Sequence, residues 1–283
     1  MTRQLHFSAG QDLPAIGQGT WAMGEKPLQR RDEVYALQAG IDLGLKVIDT
    51  AEMYAEGGAE RIVGEAISGR RDEVFLVSKV YPWNAGGQRA IAACEASLKR
   101  LQSDYLDLYL LHWRGDIPLE ETVSAMQALK QQGKIRRWGV SNLDYDDMRE
   151  LAALAGGAEC ATNQVLYHLA ARGTEFDLLP WCQQQNMPVM AYSPLAQAGR
   201  LRDGLMSHPE LQQLAAQKGV TVAQVLLAWV ISHHGVMAIP KAGNVAHVKE
   251  NAAVLDITLS KEEIAVMEKA FPAPGHKTPL AMV

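Results

Sequence analysis

The chain has no run of the roughly 18 apolar residues that a membrane-spanning helix needs. Its first residues, MTRQLHFSAGQD, lack the apolar stretch of a signal peptide. Cysteine is scarce. Cys94, Cys160 and Cys182 are odd in number and far apart, so they make neither a CxxC pair nor a metal-ligand spacing. Buried free thiols in a reducing cytoplasm are the expectation. There is no excess of positive charge: the net charge of −5 argues against a nucleic-acid partner or an anionic membrane surface. Linkers, low-complexity segments and shifts in composition are also missing, so residues 1–283 are expected to form a single domain. No face is apolar enough to demand a second copy, and a monomer is expected.

What the chain does have is a repeated beat. Short apolar runs end at Asp49, Lys79, His112, Asn142, Gln164, Tyr192 and Lys241, with gaps of 30, 33, 30, 22, 28 and 49 residues. Runs such as Leu106–Leu111 are almost continuously apolar, as strands buried on both faces are. Helical periodicity fills the gaps, near 58–68, 88–101, 118–132, 144–154, 174–185, 208–218 and 244–251. A first strand is expected near 15–20. A first helix should start at Asp32 as its N-cap and stop at Gly44. This is the pattern of an α/β chain folded as a (β/α)8 TIM barrel, which needs about 250 residues. Residues 5–14 read as a preceding hairpin turning around Ser8–Asp12. Two additional helices are expected, 221–232 and 260–270, the second with Ser260 and Glu263 as a capping box. The tail 271–283 should be extended and mobile. A doubly wound open sheet is the alternative, but no GxGxxG opens a helix after the first strand: Gly17-Gln18-Gly19 is followed by Thr20-Trp21, and Gly24 falls too late for that pattern.

In such a barrel the carboxyl ends of all strands meet on one face, where active sites lie. The chemistry-bearing strand ends therefore become neighbours. Tyr54 follows Asp49 by five residues. A phenol ordinarily titrates near 10 and needs a cationic neighbour to lower its pKa for acid–base work. Lys79 is placed to supply that charge, Asp49 to hold Lys79, and His112 to orient a substrate oxygen. The set suits proton delivery to a carbonyl oxygen. One His and one Asp are too few for zinc, and no Ser sits in a GxSxG elbow. Each residue also has a structural reading: Asp49–Thr50 as a turn cap, Lys79 as a solvated strand end, His112 packed on Trp113.

Several motifs then resemble one family. IDTAEMYAEGGAERIVGEAI (48–67) looks like the aldo-keto reductase signature, and SKV (78–80), YLDLYLLHW (105–113), GKIRRWGVSN (133–142), NQV (163–165), AYSPLAQ (191–197) and AIPKAGNVAHVKEN (238–251) match further motifs in order. The resemblance implies a barrel that binds a nicotinamide cofactor at its carboxyl face. It makes Tyr54 the proton donor, tuned by Lys79 and Asp49, with His112 positioning the carbonyl. Ser141, Asn142 and Gln164 match the residues that bond the carboxamide, and Tyr192 the ring stacked on the nicotinamide. Ser193, Leu195 and Gln197 lie on the loop that closes over the pyrophosphate. Lys241 matches the lysine of the adenosine ribose phosphate, and Glu250 and Asn251 the adenine contacts. Members preferring the phosphorylated cofactor often carry Ser and Arg where this chain has Ala242 and His247. NADPH remains the expected cofactor, with His247 as a hydrogen-bond donor and use of NADH possible.

Trp21, Trp83 and Trp113 are expected to line an open, apolar substrate pocket, with Met23 and Tyr81 joining them. Small aldehydes and dicarbonyls such as methylglyoxal are the expected substrates, and sugar-derived ketones the alternative. A second class of function is a nicotinamide-nucleotide-sensing regulatory subunit without significant turnover. The intact Asp–Tyr–Lys–His set favours the enzyme. A metal-dependent barrel hydrolase would need clustered ligands, and His233–His234 are adjacent residues whose side chains point apart.

Overall fold

The computed structural model describes residues 4–7 and 11–283. The tip of the expected hairpin, Ser8–Gly10, lies outside the described residues. On either side of it β1 (Gln4–Phe7) and β2 (Gln11–Pro14) pair antiparallel, with Leu5 opposite Leu13.

Eight strands follow: β3 (Gln18–Gly19), β4 (Val47–Asp49), β5 (Phe75–Val80), β6 (Leu106–Leu111), β7 (Ile135–Ser141), β8 (Asn163–Leu166), β9 (Val189–Tyr192) and β10 (Val236–Ala238). Each is parallel to its sequence neighbour, in the unbroken order β3 to β10. The last strand returns to the first through the bridges Ile16–Ala238 and Gly19–Lys241, and the sheet closes. A side chain at Gly19 would sit 2.6 Å from the Ile239 carbonyl oxygen, so this seam admits only glycine.

The helices are α1 (Arg30–Asp42), α2 (Gly58–Ala66), α3 (Gly87–Leu101), α4 (Leu119–Gln131), α5 (Tyr145–Ala153), α6 (Leu178–Gln184), α7 (Arg200–Met206), α8 (Pro209–Lys218), α9 (Val222–Val230), α10 (Val245–Ala253) and α11 (Lys261–Ala270). The two added helices at 221–232 and 260–270 are α9 and α11. Both begin with capping boxes, Thr221 with Gln224 and Ser260 with Glu263.

Four sequence expectations are corrected. The strand expected over 15–20 is only two residues long, because its flanks bond singly across the seam. The first helix begins at Arg30, so Asp32 sits in its first turn, favourable to the helix dipole, rather than at the cap. The helix expected over 174–185 opens as a separate 3-10 turn, Gly173–Glu175. The tail forms neither helix nor strand, but instead of being mobile it is tied down: Arg172 donates to the Phe271 carbonyl at 2.8 Å, and Lys277 reaches Asp177 at 3.1 Å and Asp144 at 3.2 Å. The helix α7 had no counterpart in the sequence reading.

The core falls into two layers because strand side chains alternate between faces. Val47, Phe75, Val77, Leu108, Leu110, Met190, Met237 and Ile239 fill the barrel interior together with Leu5, Phe7 and Leu13. The hairpin thus plugs the amino-terminal mouth, with Phe7 and Phe75 rings 5.4 Å apart. Leu76, Val80, Tyr109, Leu111, Trp138 and Val140 face the helices instead. Counting onward in twos from the interior set gives Asp49, Lys79, His112, Tyr192 and Lys241. The same register that packs the interior delivers these side chains to its open end.

Candidate active site

Lys79 is fully buried, and its ammonium lies 2.7 Å from Asp49 Oδ2, 2.9 Å from the Thr50 carbonyl and 3.1 Å from Tyr54 Oη. Asp49 is held from its other side by the Gln164 amide at 2.7 Å. The ring of Tyr54 meets that of His112 edge-on, with centroids 5.7 Å apart. Four strand ends and one loop therefore converge, as the spacing anticipated.

The electrostatics differ from the simplest expectation. Burial pushes the Tyr54 phenol above its ordinary 10.0, and Asp49 adds to this. Lys79 pulls the other way but does not win. Burial depresses the Lys79 ammonium, yet Asp49 and Tyr54 outweigh it, and its pKa ends above the usual value. Burial, then the charge of Lys79, brings His112 down to about 3. At neutral pH the site holds a protonated phenol, a charged ammonium and a neutral imidazole. The catalytic profile is expected to show no inflection near the ordinary histidine value of 6.5. Activity that needs the phenol proton should be lost only as pH rises past 10. A break in kcat/KM near 6.5 would mean that His112 titrates as an exposed histidine does.

A cavity of about 480 Å³ opens above this cluster. Its walls include Asp49, Tyr54, His112, Ser141, Asn142, Gln164, Tyr192, Ser193, Leu195, Gln197 and Lys241, and so most of the expected cofactor contacts. Asn142 has φ of 58°, a left-handed turn that asparagine tolerates, and this ends β7 abruptly. Its amide donates to the His112 carbonyl at 3.1 Å, and its oxygen accepts from Tyr192 Oη at 2.8 Å. Ser141 donates to the Gln164 carbonyl at 2.8 Å. Burial raises the Tyr192 phenol to about 12.

Lys241 and Arg202 share the cavity, and neither forms an ion pair among the described residues. Amide and hydroxyl groups at one end and unpaired cations on the same wall fit a nicotinamide nucleotide: polar carboxamide partners, an aromatic face, and charge for phosphates. His247, Glu250 and Asn251 lie on α10, outside the cavity wall. Asn244 caps that helix by accepting from the His247 amide at 2.9 Å. Asn251 is buried, while His247 and Glu250 are exposed.

Two of the three expected tryptophans, Trp21 and Trp113, line the cavity. Trp83 does not. It stacks on Tyr81 at 4.3 Å, and both belong to a ledge beside Trp113 rather than to the cavity wall. The ledge is fixed because Glu52 accepts from the Tyr81 amide at 2.7 Å. Met23 is also a correction: it is fully buried core. Met53, Arg202, Met282 and Val283 line the cavity and were missed. Arg202 sits on the unforeseen α7, and the last two on the tail. Met53 could have been found, since it directly precedes Tyr54 on the same loop.

Fold and cluster together define a barrel whose open end is built to hold a proton beside a polar oxygen. Residues 15–271 match the model of the Aldo/keto reductase family, and the chain belongs to that family. It is 67% identical over 281 residues to "Methylglyoxal reductase YeaE" of Escherichia coli (strain K12), covering 99% of each chain. It is 36% identical to "Glyoxal reductase" of Bacillus subtilis (strain 168), covering 93% of this chain and 90% of the relative. Among solved structures, an aldo/keto reductase from Klebsiella pneumoniae in complex with NADP and acetate superposes with a TM-score of 0.98, at 63% identity and full coverage of both chains.

Proposed function

We propose that this chain, acting as one barrel domain, reduces small aldehydes and dicarbonyls of the methylglyoxal type to alcohols with NADPH. The observation that carries the reading is the buried Asp49–Lys79–Tyr54 chain ending beside neutral His112 on the cavity wall. The names of the Escherichia coli and Bacillus subtilis relatives support the substrate class, and the ligand of the Klebsiella pneumoniae structure supports the cofactor.

When bound, the nicotinamide supplies the hydride to the carbonyl carbon. The protein's part is to bind, orient and protonate. Among the described residues His112 Nδ1 is buried without a hydrogen-bond partner, which favours the proton on Nε2, where a neutral imidazole can donate to the substrate oxygen. Tyr54 gives its proton to that oxygen as negative charge develops. Lys79, held by Asp49, stabilises the phenolate left behind. Ser141, Asn142 and Gln164 would hold the carboxamide, and Tyr192 would face the nicotinamide. Ser193, Leu195 and Gln197 would cover the pyrophosphate. Lys241 would hold the ribose phosphate, with His247, Glu250 and Asn251 at the adenosine end. Trp21 and Trp113 flank the substrate. Three buried free cysteines suit a cytoplasmic enzyme.

Steady-state turnover of methylglyoxal, a benzaldehyde and a sugar aldehyde, each with NADPH and with NADH, tests this. Methylglyoxal with NADPH should give the highest kcat/KM. Cofactor binding with no turnover of any carbonyl would favour the regulatory reading. Lys241→Met should raise the NADPH dissociation constant about tenfold, the scale of one charge-assisted hydrogen bond, and the NADH constant much less. Equal changes would mean that Lys241 does not read the 2′-phosphate.

A further inference from the structure

Lys277 is the point where the tail meets the barrel. Its ammonium lies 3.1 Å from Asp177, 3.2 Å from Asp144 and 3.6 Å from Asp146. It also lies over the Tyr145 ring, 5.3 Å from the centroid. Asp144 caps α5, which starts just after Asn142, and Asp177 occupies the N-cap position of α6. Single exposed ion pairs contribute little, but here one cation offsets three carboxylates gathered at two neighbouring helix starts. From this point the chain runs six residues to Met282 and Val283, which stand in the cavity wall with Tyr54, His112 and Trp113. The next fixed point upstream by a hydrogen bond is Phe271, held by Arg172. Thr278 adds packing against Gly173, where a Cβ would come within 2.4 Å of its hydroxyl.

We infer that Lys277 is a positioning residue of the carbonyl pocket: by gathering Asp144, Asp146 and Asp177 it pins the tail so that Met282 and Val283 form an apolar wall, and so sets which carbonyls fit. This rests on the carbonyl-reductase reading of the site. Freed at Lys277, the segment still keeps Thr278 against Gly173 and Leu280 against the core, so Met282 and Val283 shift within the wall rather than leave it. The wall touches substrate rather than the proton donor, so its loss acts on substrate binding and selectivity.

The experiment compares wild type with Lys277→Met, Lys277→Arg and Met282→Ala. Lys277→Met should raise KM for methylglyoxal roughly fourfold, the worth of one buried CH2 group, with kcat and the NADPH dissociation constant within twofold. The preference for methylglyoxal over benzaldehyde should fall in that variant and in Met282→Ala. Lys277→Arg, which keeps the charge and offers a fork to the carboxylates, should restore wild-type values. Cleavage of the tail by a nonspecific protease should quicken in Lys277→Met alone. Unchanged KM, equal losses for both carbonyls, failure of Arg to rescue, or unchanged cleavage would each overturn the proposal. If wild type turns over no carbonyl at all, the reductase reading fails, and the cleavage measurement still decides whether Lys277 pins the tail.

Discussion

Tyr54→Phe is expected to lower kcat for methylglyoxal by roughly 10³-fold, within the range that a positioned general acid contributes. The dissociation constant of NADPH should stay within twofold of wild type. The reason is local. Tyr54 Oη bonds only Lys79 among the described contacts, at 3.1 Å. Lys79 keeps Asp49 and the Thr50 carbonyl when the hydroxyl is gone. The ring still packs edge-on to His112. The substitution therefore removes a proton and little else. Tryptophan fluorescence quenching by NADPH, measured beside turnover, separates the two effects. Substantial activity in Tyr54→Phe would take the proton-donor role away from this residue.

Lys79→Met should be more damaging still, because it affects both chemistry and fold. The ammonium is fully buried, and its partner Asp49 is 3% exposed. Removing the cation leaves a carboxylate in the interior with the Gln164 amide as its remaining side-chain partner. Breaking such a pair from one side costs about 3–5 kcal/mol. Tyr54 also loses the cation that offsets its burial, so its pKa should rise further. A large drop in melting temperature together with loss of turnover is the expected result. Asp49→Asn in the same background should recover part of the stability, since it removes the unpaired charge, but none of the activity. Recovery of activity in the double variant would show that the ammonium is not needed for proton transfer.

The strand ends were legible in the sequence because one regularity controls both packing and chemistry. Side chains alternate along a strand, and the interior set Val47, Val77, Leu110 and Met190 shares its parity with Asp49, Lys79, His112 and Tyr192. An apolar run ending in a polar residue is therefore a signal of both core and site. The signal faded where the chain leaves that rule. The first strand is two residues long because its flanks bond singly across the barrel seam. The helix carrying Arg202 is a seven-residue insertion with no strand after it to mark its end. Trp83 looked like a pocket residue from its place after the β5 strand, but the loop set by Glu52 turns it onto Tyr81 instead. Three prolines in the tail suggested mobility, and nothing local announced that Lys277 would meet carboxylates 100 or more residues away in sequence. The sign of the Tyr54 shift was hidden for a related reason: sequence shows which charges are near, while burial, which dominates here, belongs to the folded chain.

The most direct test of the account is a stoichiometric one: purified wild-type protein, NADPH and methylglyoxal in known amounts, with oxidised cofactor and alcohol product both quantified. One alcohol formed for each NADPH oxidised is the result predicted for a carbonyl reductase. NADPH bound but not oxidised in the presence of methylglyoxal and the other carbonyls would contradict it.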